Sequence, residues 1–267
     1  TFLTATQMTR LISILEQHFY FQDDAQRGIE IDPRSLEQNM LKTLHRLKFN
    51  RVSFGIQDFN DEVQAAVNRP QHVDDVIALV RQARELGFAS INTDMIYGLP
   101  HQTPESFADS IKQLIALSPD RVSVFNYAHL PERFAAQRKL KESDMPTPQQ
   151  KLDIFKNTLL QMNEAGYQFI GMDHFAKKKD ELAIAQNTGK LHRNFQGYTT
   201  HGECDLLGLG VSSISQIGNA ILQNHKALKS YYQAVSETGC ALSKGMILNA
   251  DDVLRADIIK QLICHFS

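Results

Sequence analysis

Between residues 28 and 128 the chain alternates four apolar runs with amphipathic stripes, and this alternation constrains the fold more than any other feature. The runs are Gly28-Ile-Glu-Ile-Asp-Pro33, Arg51 to Gln57, Ile91 to Pro100 and Arg121 to Ala128. Their residues alternate in character, as strands require, because successive side chains point to opposite faces. Between them lie residues at helical spacing. These are Leu36, Met40, Leu41, Leu44 and Leu47, then Val73, Val76, Ile77, Val80 and Ala83 closed by Gly87, then Phe107, Ile111, Leu114 and Ile115. The last helix has Thr103 as its N-cap, Pro104 in its first turn and Glu105 beside its positive end. Strand and helix at this spacing suit right-handed parallel crossovers, so the pattern predicts an α/β fold.

The polar faces of successive strands carry Glu30, Gln57, Asp94 and Asn126. An open doubly wound sheet has helices on both faces and is apolar on both. A polar group on strand after strand suits instead a barrel or partial barrel whose interior holds something. A packed barrel core with a few hydrogen-bonded polar residues is the plainer alternative, and four such positions speak against it. In Ile91-Asn-Thr-Asp-Met-Ile-Tyr-Gly-Leu-Pro100 the residues Asn92, Asp94, Ile96 and Gly98 share a face. A carboxylate near the carboxyl end of a core strand is costly unless something pairs with it, and ligands sit at that end of α/β sheets and barrels. Asp94 therefore either faces a ligand cavity or caps the next helix, and both readings stay open at this point.

The chain of 267 residues is long enough for a sizeable core and a second domain. A net charge of −2 provides no basic field for nucleic acid or an anionic membrane. No apolar run reaches the roughly 18–20 residues of a membrane span. Cys204, Cys240 and Cys264 are odd in number and far apart, which argues against a disulfide framework or a Cys-built metal site and for a reducing, cytoplasmic setting. The first residue is Thr and a helix begins almost at once, with Thr4 and Gln7 at capping-box spacing, so a piece of a longer protein is expected. Beyond Ala128 the chain turns irregular and basic, then forms a helix from Thr147 to Ala165, a strand over Tyr167–Phe175 running into a loop, a Gly-rich loop over 205–215, a helix over 226–238 and another from Asp251. Asp173-His174 at a strand end is a candidate acid–base pair or ligand contact. Phosphate-cradling and dinucleotide motifs are missing, as is HExxH.

The runs Glu30 to Pro33, Ser53 to Phe59, Asp94 to Pro100 with Gln102-Thr103, and Asn126 to Ala128 resemble the second part of a radical S-adenosylmethionine (SAM) core of the coproporphyrinogen branch. Gly171-Met-Asp-His-Phe-Ala176, Arg193-Asn-Phe-Gln-Gly-Tyr-Thr-Thr200 and Gly208 to Ser215 narrow the resemblance to the oxygen-independent coproporphyrinogen III oxidase family, over essentially the whole chain. The resemblance implies a partial (β/α)6 barrel with its first strands missing, over residues 1–165. An α+β substrate-side extension (166–248) and the start of a helical C-terminal domain (249–267) would follow. It further implies two cofactors, SAM and a [4Fe-4S] cluster. Glu30 would hold the ribose or amino-acid part of the cluster-bound SAM. Gln57, Arg69, Asp94 and Ala128 would line a second SAM site, with Ile214 near these ligands from the later segment. The chemistry of the side chains agrees, because Glu30 and Asp94 can accept from ribose hydroxyls or an ammonium, Arg69 can hold a carboxylate, and Gln57 offers a donor and an acceptor.

The implied reaction removes a hydrogen atom, carbon dioxide and one electron from each of two propionates of coproporphyrinogen III, leaving vinyl groups and giving protoporphyrinogen IX. A substrate with four carboxylates asks for cations, and Arg193 and Lys177-Lys-Lys179 are candidates, with Asp173 and His174 as further substrate contacts. The expected partner is this tetrapyrrole, with no nucleic acid and no membrane, on a monomer, and the sequence names no electron donor or acceptor. One departure is large: the family's CxxxCxxC and the glycine-rich strand end after it are missing here, and the three cysteines present have the wrong spacing. Cluster ligands are therefore expected upstream of Thr1, with the parent protein active and this piece inactive alone. The rival readings are a radical SAM haem chaperone without decarboxylase activity, which the stretches 173–175 and 193–200 oppose, and an aldolase-type barrel, whose Schiff-base lysine no strand end supplies.

Overall fold

The computed structural model describes residues 2–202 and 204–266. Thr1 and Ser267, where the expected junction and C-terminal segment end, lie outside the described residues, as does Glu203. In chain order the helices are α1 (Ala5–His18), α2 (Met40–Arg46), α3 (Asp61–Ala66), α4 (Val73–Leu86), α5 (Pro104–Leu117), α6 (Pro148–Glu164), α7 (Glu181–Asn187), α8 (Leu228–Thr238) and α9 (Ala250–His265). The strands are β1 (Gly28–Ile31), β2 (Arg51–Gln57), β3 (Ser90–Tyr97), β4 (Arg121–Asn126), β5 (Tyr167–Gly171), β6 (His174–Lys177), β7 (His192–Asn194), β8 (Gly197–Thr199), β9 (Ile214–Ile217), β10 (Ala220–Asn224) and β11 (Leu242–Ile247). Two compact units result, Thr1–Asp180 and Glu181–Ser267.

The first unit is built on a six-stranded sheet of order β1-β2-β3-β4-β6-β5. β1 to β4 are parallel in sequence order, as the alternation predicts. Val52, Phe54 and Ile56 of β2, Ile91 and Met95 of β3, and Val122 and Val124 of β4 form one buried apolar face. Met40, Leu41 and Leu44 of α2, Val76, Val80 and Ala83 of α4, Phe107, Ile111 and Leu114 of α5, and Ile154 and Met162 of α6 share that core. The caps are those the sequence signals. Thr4 and Gln7 form a capping box, Thr103 accepts from the Ser106 amide, and Gly87 closes α4 at φ 88°.

Three local expectations are corrected. The expected strand over Tyr167–Phe175 is a hairpin: Gly171 (φ 145°) and Met172 (φ 51°) reverse the chain. β6 then inserts antiparallel between β4 and β5, so the parallel crossovers stop at β4. The helix expected over 36–47 is shorter. Asp32 caps a 3-10 turn at Pro33–Ser35, and left-handed Asn39 (φ 66°) delays the start of α2. The short helix α3 was not anticipated, although Asn60 marks its start by accepting from the amides of Glu62 and Val63.

In the second unit β9, β10 and β11 form an antiparallel sheet, and β7 pairs with β8. α9 packs on β7, and the Tyr198 hydroxyl donates to the Ile263 carbonyl at 2.9 Å. The Gly-rich stretch is loop only in part. Leu206 bridges Gln216, and a Cβ at Gly208 would lie 2.5 Å from the Ile214 carbonyl oxygen, so that glycine admits the chain's own backbone. Among the described residues no helix is long and apolar enough to cross a membrane.

Candidate functional site

The face of the first sheet opposite its apolar core carries a continuous row of polar groups. The register aligns Glu30 with Ser53, Ser53 with Asn92, Asp94 with Ser123, and Ser123 with His174. Asp94 is the centre of this row. Its Oδ2 accepts from Ser53 Oγ at 2.8 Å and its Oδ1 from Asn92 Nδ2 at 2.8 Å. Asn92 Nδ2 also reaches Ser53 Oγ (2.8 Å) and Ser123 Oγ (3.4 Å). Asp94 is thus not the cap of α5, since Thr103 holds that place. Glu30 lies on the same face of β1, exposed at the sheet edge. Asn126 does not join the row. It pairs with Tyr97, one residue out of phase with Asp94, so alternation puts it on the opposite face, and Ser123 is the polar residue β4 contributes.

Gln57 reaches the site by breaking the strand. A register shift falls between Gly55 and Gln57, and Gln57 adopts φ 72°. Its side chain folds back over Gly55, where a Cβ would come within 2.8 Å of Gln57 Nε2, so a side chain there would displace the Gln57 amide. Gln57 Oε1 is buried without a hydrogen-bond partner, an acceptor waiting for a donor. It borders a cleft of 650 Å³ shared by Arg69, Ile96, Leu99, Tyr127 and Lys139. Arg69 is held in place, with Nη2 3.1 Å from Asp32 Oδ2 and 3.5 Å from the Gly55 carbonyl oxygen. Asp32 in turn takes Arg34 Nη2 at 2.7 Å and Arg34 Nε at 3.0 Å. The Arg34 hydrogen bonds hold Asp32 below the usual carboxylate range, and burial lowers the Arg69 guanidinium. The Ala128 carbonyl accepts from Gln137 Nε2 at 3.1 Å, which fastens the cleft wall at Ala135–Lys139 to the end of β4.

The other sequence candidates fall into three places. Asp173 lies on the turn between β5 and β6 and His174 begins β6, with Asp173 Oδ1 2.7 Å from His174 Nδ1, and His174 stands edge-on to Phe125. Lys177 is not a cation at this mouth. Its Nζ donates to Ser118 O (2.7 Å) and Ser118 Oγ (2.8 Å), and β6 runs antiparallel to β4, so Lys177 to Lys179 lie toward the opposite end of that strand. Arg193 and Ile214 belong to the second unit. The Arg193 guanidinium stands 5.7 Å over the Tyr198 ring, and Ile214 lines a 230 Å³ apolar hollow with Phe195, Ile221 and Met246. Ser123 and the wall at residues 136–140 are signalled by no motif, and Tyr127 enters the site from inside the run Asn126 to Ala128 without having been singled out. Ser123 is the one that alternation could have found, as the polar residue between Val122 and Val124.

Among the described residues no group of three His, Cys, Asp or Glu side chains could hold a metal. Cys204 and Cys240 are exposed and Cys264 is buried. These residues do not fit the three thiolates of an iron–sulfur cluster, whereas the orphan Gln57 acceptor and the Asp94 row fit a ligand rich in hydroxyl and ammonium donors.

Comparison with known proteins agrees with this geometry. The family model described as Radical SAM superfamily matches residues 5–114. Oxygen-independent coproporphyrinogen III oxidases from Salmonella typhimurium and Escherichia coli are each 57% identical over 266 residues, all of this chain and 58% of their own length. The chain therefore spans less than two thirds of those relatives. The relative of that name from Thermostichus vulcanus is 42% identical over 250 residues, 93% of this chain and 77% of its own length. A solved structure of coproporphyrinogen III oxidase (HemN) from Escherichia coli, described as a radical SAM enzyme, superposes with a TM-score of 0.97 over 99% of this chain and 61% of its own. Sheet order, polar face and sequence thus converge, and the chain belongs to the oxygen-independent coproporphyrinogen III oxidase family of the radical SAM superfamily.

Proposed function

We propose that the full-length protein converts two propionate side chains of coproporphyrinogen III to vinyl groups, and that this chain supplies the SAM-binding face of its barrel. The observation that carries the reading is the hydrogen-bonded row Ser53–Asn92–Asp94 beside the cleft where Gln57 Oε1 lacks a donor. An adenosyl sulfonium brings ribose hydroxyls and an ammonium as donors and a carboxylate as acceptor. Glu30 holds the ribose or amino-acid part of one SAM. Gln57, Arg69, Asp94 and Ala128 line the place of a second. When bound, SAM supplies the radical that takes a hydrogen atom from the β-carbon of the propionate. The chain's own residues bind, orient and exclude water. Residues 166–248 are the substrate side, with Asp173 and His174 of the first unit as contacts for a carboxylate of the tetrapyrrole. The reading includes a [4Fe-4S] cluster held by residues outside those described, and a cytosolic monomer.

Glu30→Ala in the full-length protein is expected to weaken SAM binding about tenfold, the worth of one charge-assisted hydrogen bond, with an unchanged far-UV circular dichroism spectrum. Unchanged affinity removes Glu30 from the site. Product assay with coproporphyrinogen III tests the reaction, and haem binding without vinyl formation would replace it with the chaperone reading.

A further inference from the structure

The most deeply buried carboxylate beside the cleft has no cation among the described residues. Asp58 follows Gln57 directly and is 1% exposed. Its Oδ1 accepts from Ser110 Oγ at 2.6 Å and from the Asn60 amide at 2.8 Å, and its Oδ2 accepts from Gln102 Nε2. Both oxygens therefore act as acceptors. Gln102 is 3% exposed and is used at both ends. Its Oε1 accepts from the amides of Gly98 (2.7 Å) and Leu99 (2.9 Å), and its Nε2 also donates to the Ile96 carbonyl at 2.8 Å. The Asp58 carbonyl takes Gln64 Nε2 at 2.8 Å, and Gln64 Oε1 takes the Gln71 amide at 2.9 Å, which ties in the segment carrying Arg69.

Burying a carboxylate with no cation disfavours folding, and an apolar residue of the same size would avoid that cost. Burial pushes the Asp58 carboxyl up, while its hydrogen bonds from Ser110, Asn60 and Gln102 pull it down. The charge stands where the end of β2, the loop after β3 and α5 meet. The first delivers Gln57 and the second Leu99 to the cleft wall, beside Ile96 of β3.

We infer that Asp58 is a positioning residue for the cleft, its hydrogen bond to Gln102 tying the end of β2 to the Gly98–Pro100 loop and so fixing Gln57 and Leu99 against the bound ligand. The inference rests on the reading of the cleft as a SAM site. Its consequence is a dependence on hydrogen-bond polarity. In Asp58→Asn, the new side chain's oxygen keeps Ser110 and Asn60 and its amide nitrogen turns against Gln102 Nε2, donor to donor. In Gln102→Glu, two carboxylates face each other. In the double variant the amide at position 58 donates to the carboxylate at position 102, which still accepts from Gly98 and Leu99, while its second oxygen now faces the Ile96 carbonyl acceptor to acceptor, so the recovery is incomplete.

The test is calorimetric titration of the full-length holoprotein with SAM, in which the binding phase weakened by Gln57→Ala reports the cleft. Each single exchange is expected to weaken that phase about tenfold, and the double variant to return to within about threefold of the parent. In turnover the single variants raise KM for SAM more than they lower kcat, as residues that place a binding group should. Ser110→Ala, which removes one donor with little change of volume, is expected to weaken the same phase about threefold and serves if Asp58→Asn fails to fold. Single variants that bind like the parent, or a double variant as weak as the product of the singles, overturn the positioning role. If no phase responds to Gln57→Ala, it is the SAM reading of the cleft that fails.

Discussion

Asp94→Ala is expected to weaken SAM binding at the cleft by about two orders of magnitude while leaving the protein folded. Asp94 is the shared acceptor of Ser53 Oγ and Asn92 Nδ2, each at 2.8 Å. Those two bonds orient the carboxylate, whose remaining lone pairs take the ligand's donors; a hydrogen bond to a charged group contributes about 1.5–3 kcal/mol, and the two that the ligand makes to it are lost together. Asp94 is half-buried on an uncovered face, so water recovers part of that loss, and about 3 kcal/mol remains, or roughly a hundredfold. The loss is concentrated in binding because the row lies on the face that the apolar core does not use. Asp94→Asn keeps the shape and one acceptor oxygen but turns an amide toward Ser53 or Asn92, so its affinity should fall between parent and Ala. Calorimetric titration against a circular dichroism control measures both. An affinity for the Ala variant within threefold of the parent would remove Asp94 from the site.

The parts of this arrangement that sequence reasoning reached are those governed by local periodicity. Val52, Phe54 and Ile56 alternate with Ser53, Gly55 and Gln57, and that alone separates core face from polar face. Thr103-Pro-Glu-Ser106 and Gly87 announce helix ends through chemistry confined to a few residues. Failures occur where a residue's place depends on chain far away. Asn126 looks like a further polar position on its own strand, but the register with β3 puts it out of phase with Asp94. Nothing within Tyr167–Phe175 says that the returning strand will slide between β4 and β5. Lys177 reads as an open cation until Ser118 is brought to it by the antiparallel pairing of β6. Asp58 and Gln102 stand 44 residues apart, so their bond has no local signature. The motif residues Gly55-Ile-Gln57 were legible as a group. The left-handed conformation of Gln57 was not, because no glycine stands at that position to announce it.

Phe54→Ala is expected to do the reverse of Asp94→Ala, removing stability and sparing the site. Phe54 lies on β2 with 0% of its surface exposed, paired in register with Ile31 of β1 and Thr93 of β3. Truncating it loses the transfer free energy of the ring and leaves a cavity that the flanking strands cannot close, because both are fixed by their own hydrogen bonds. Phe-to-Ala changes of this kind cost about 3–5 kcal/mol. Against a total stability of about 5–15 kcal/mol, that is a large fraction. For a unit of this size each kcal/mol shifts Tm by roughly 2–4 °C, so a fall of about 10 °C or more is expected by calorimetry. Leu160→Ala on α6, 62% exposed, is the matched control and should change stability by less than about 0.5 kcal/mol. Well below its lowered Tm, the Phe54→Ala protein should still bind SAM within about threefold of the parent, since its side chain points away from the Ser53 and Asp94 face. If it loses affinity as Asp94→Ala does, the two faces of the sheet are not independent, and the assignment of core to one and ligand to the other has to be abandoned.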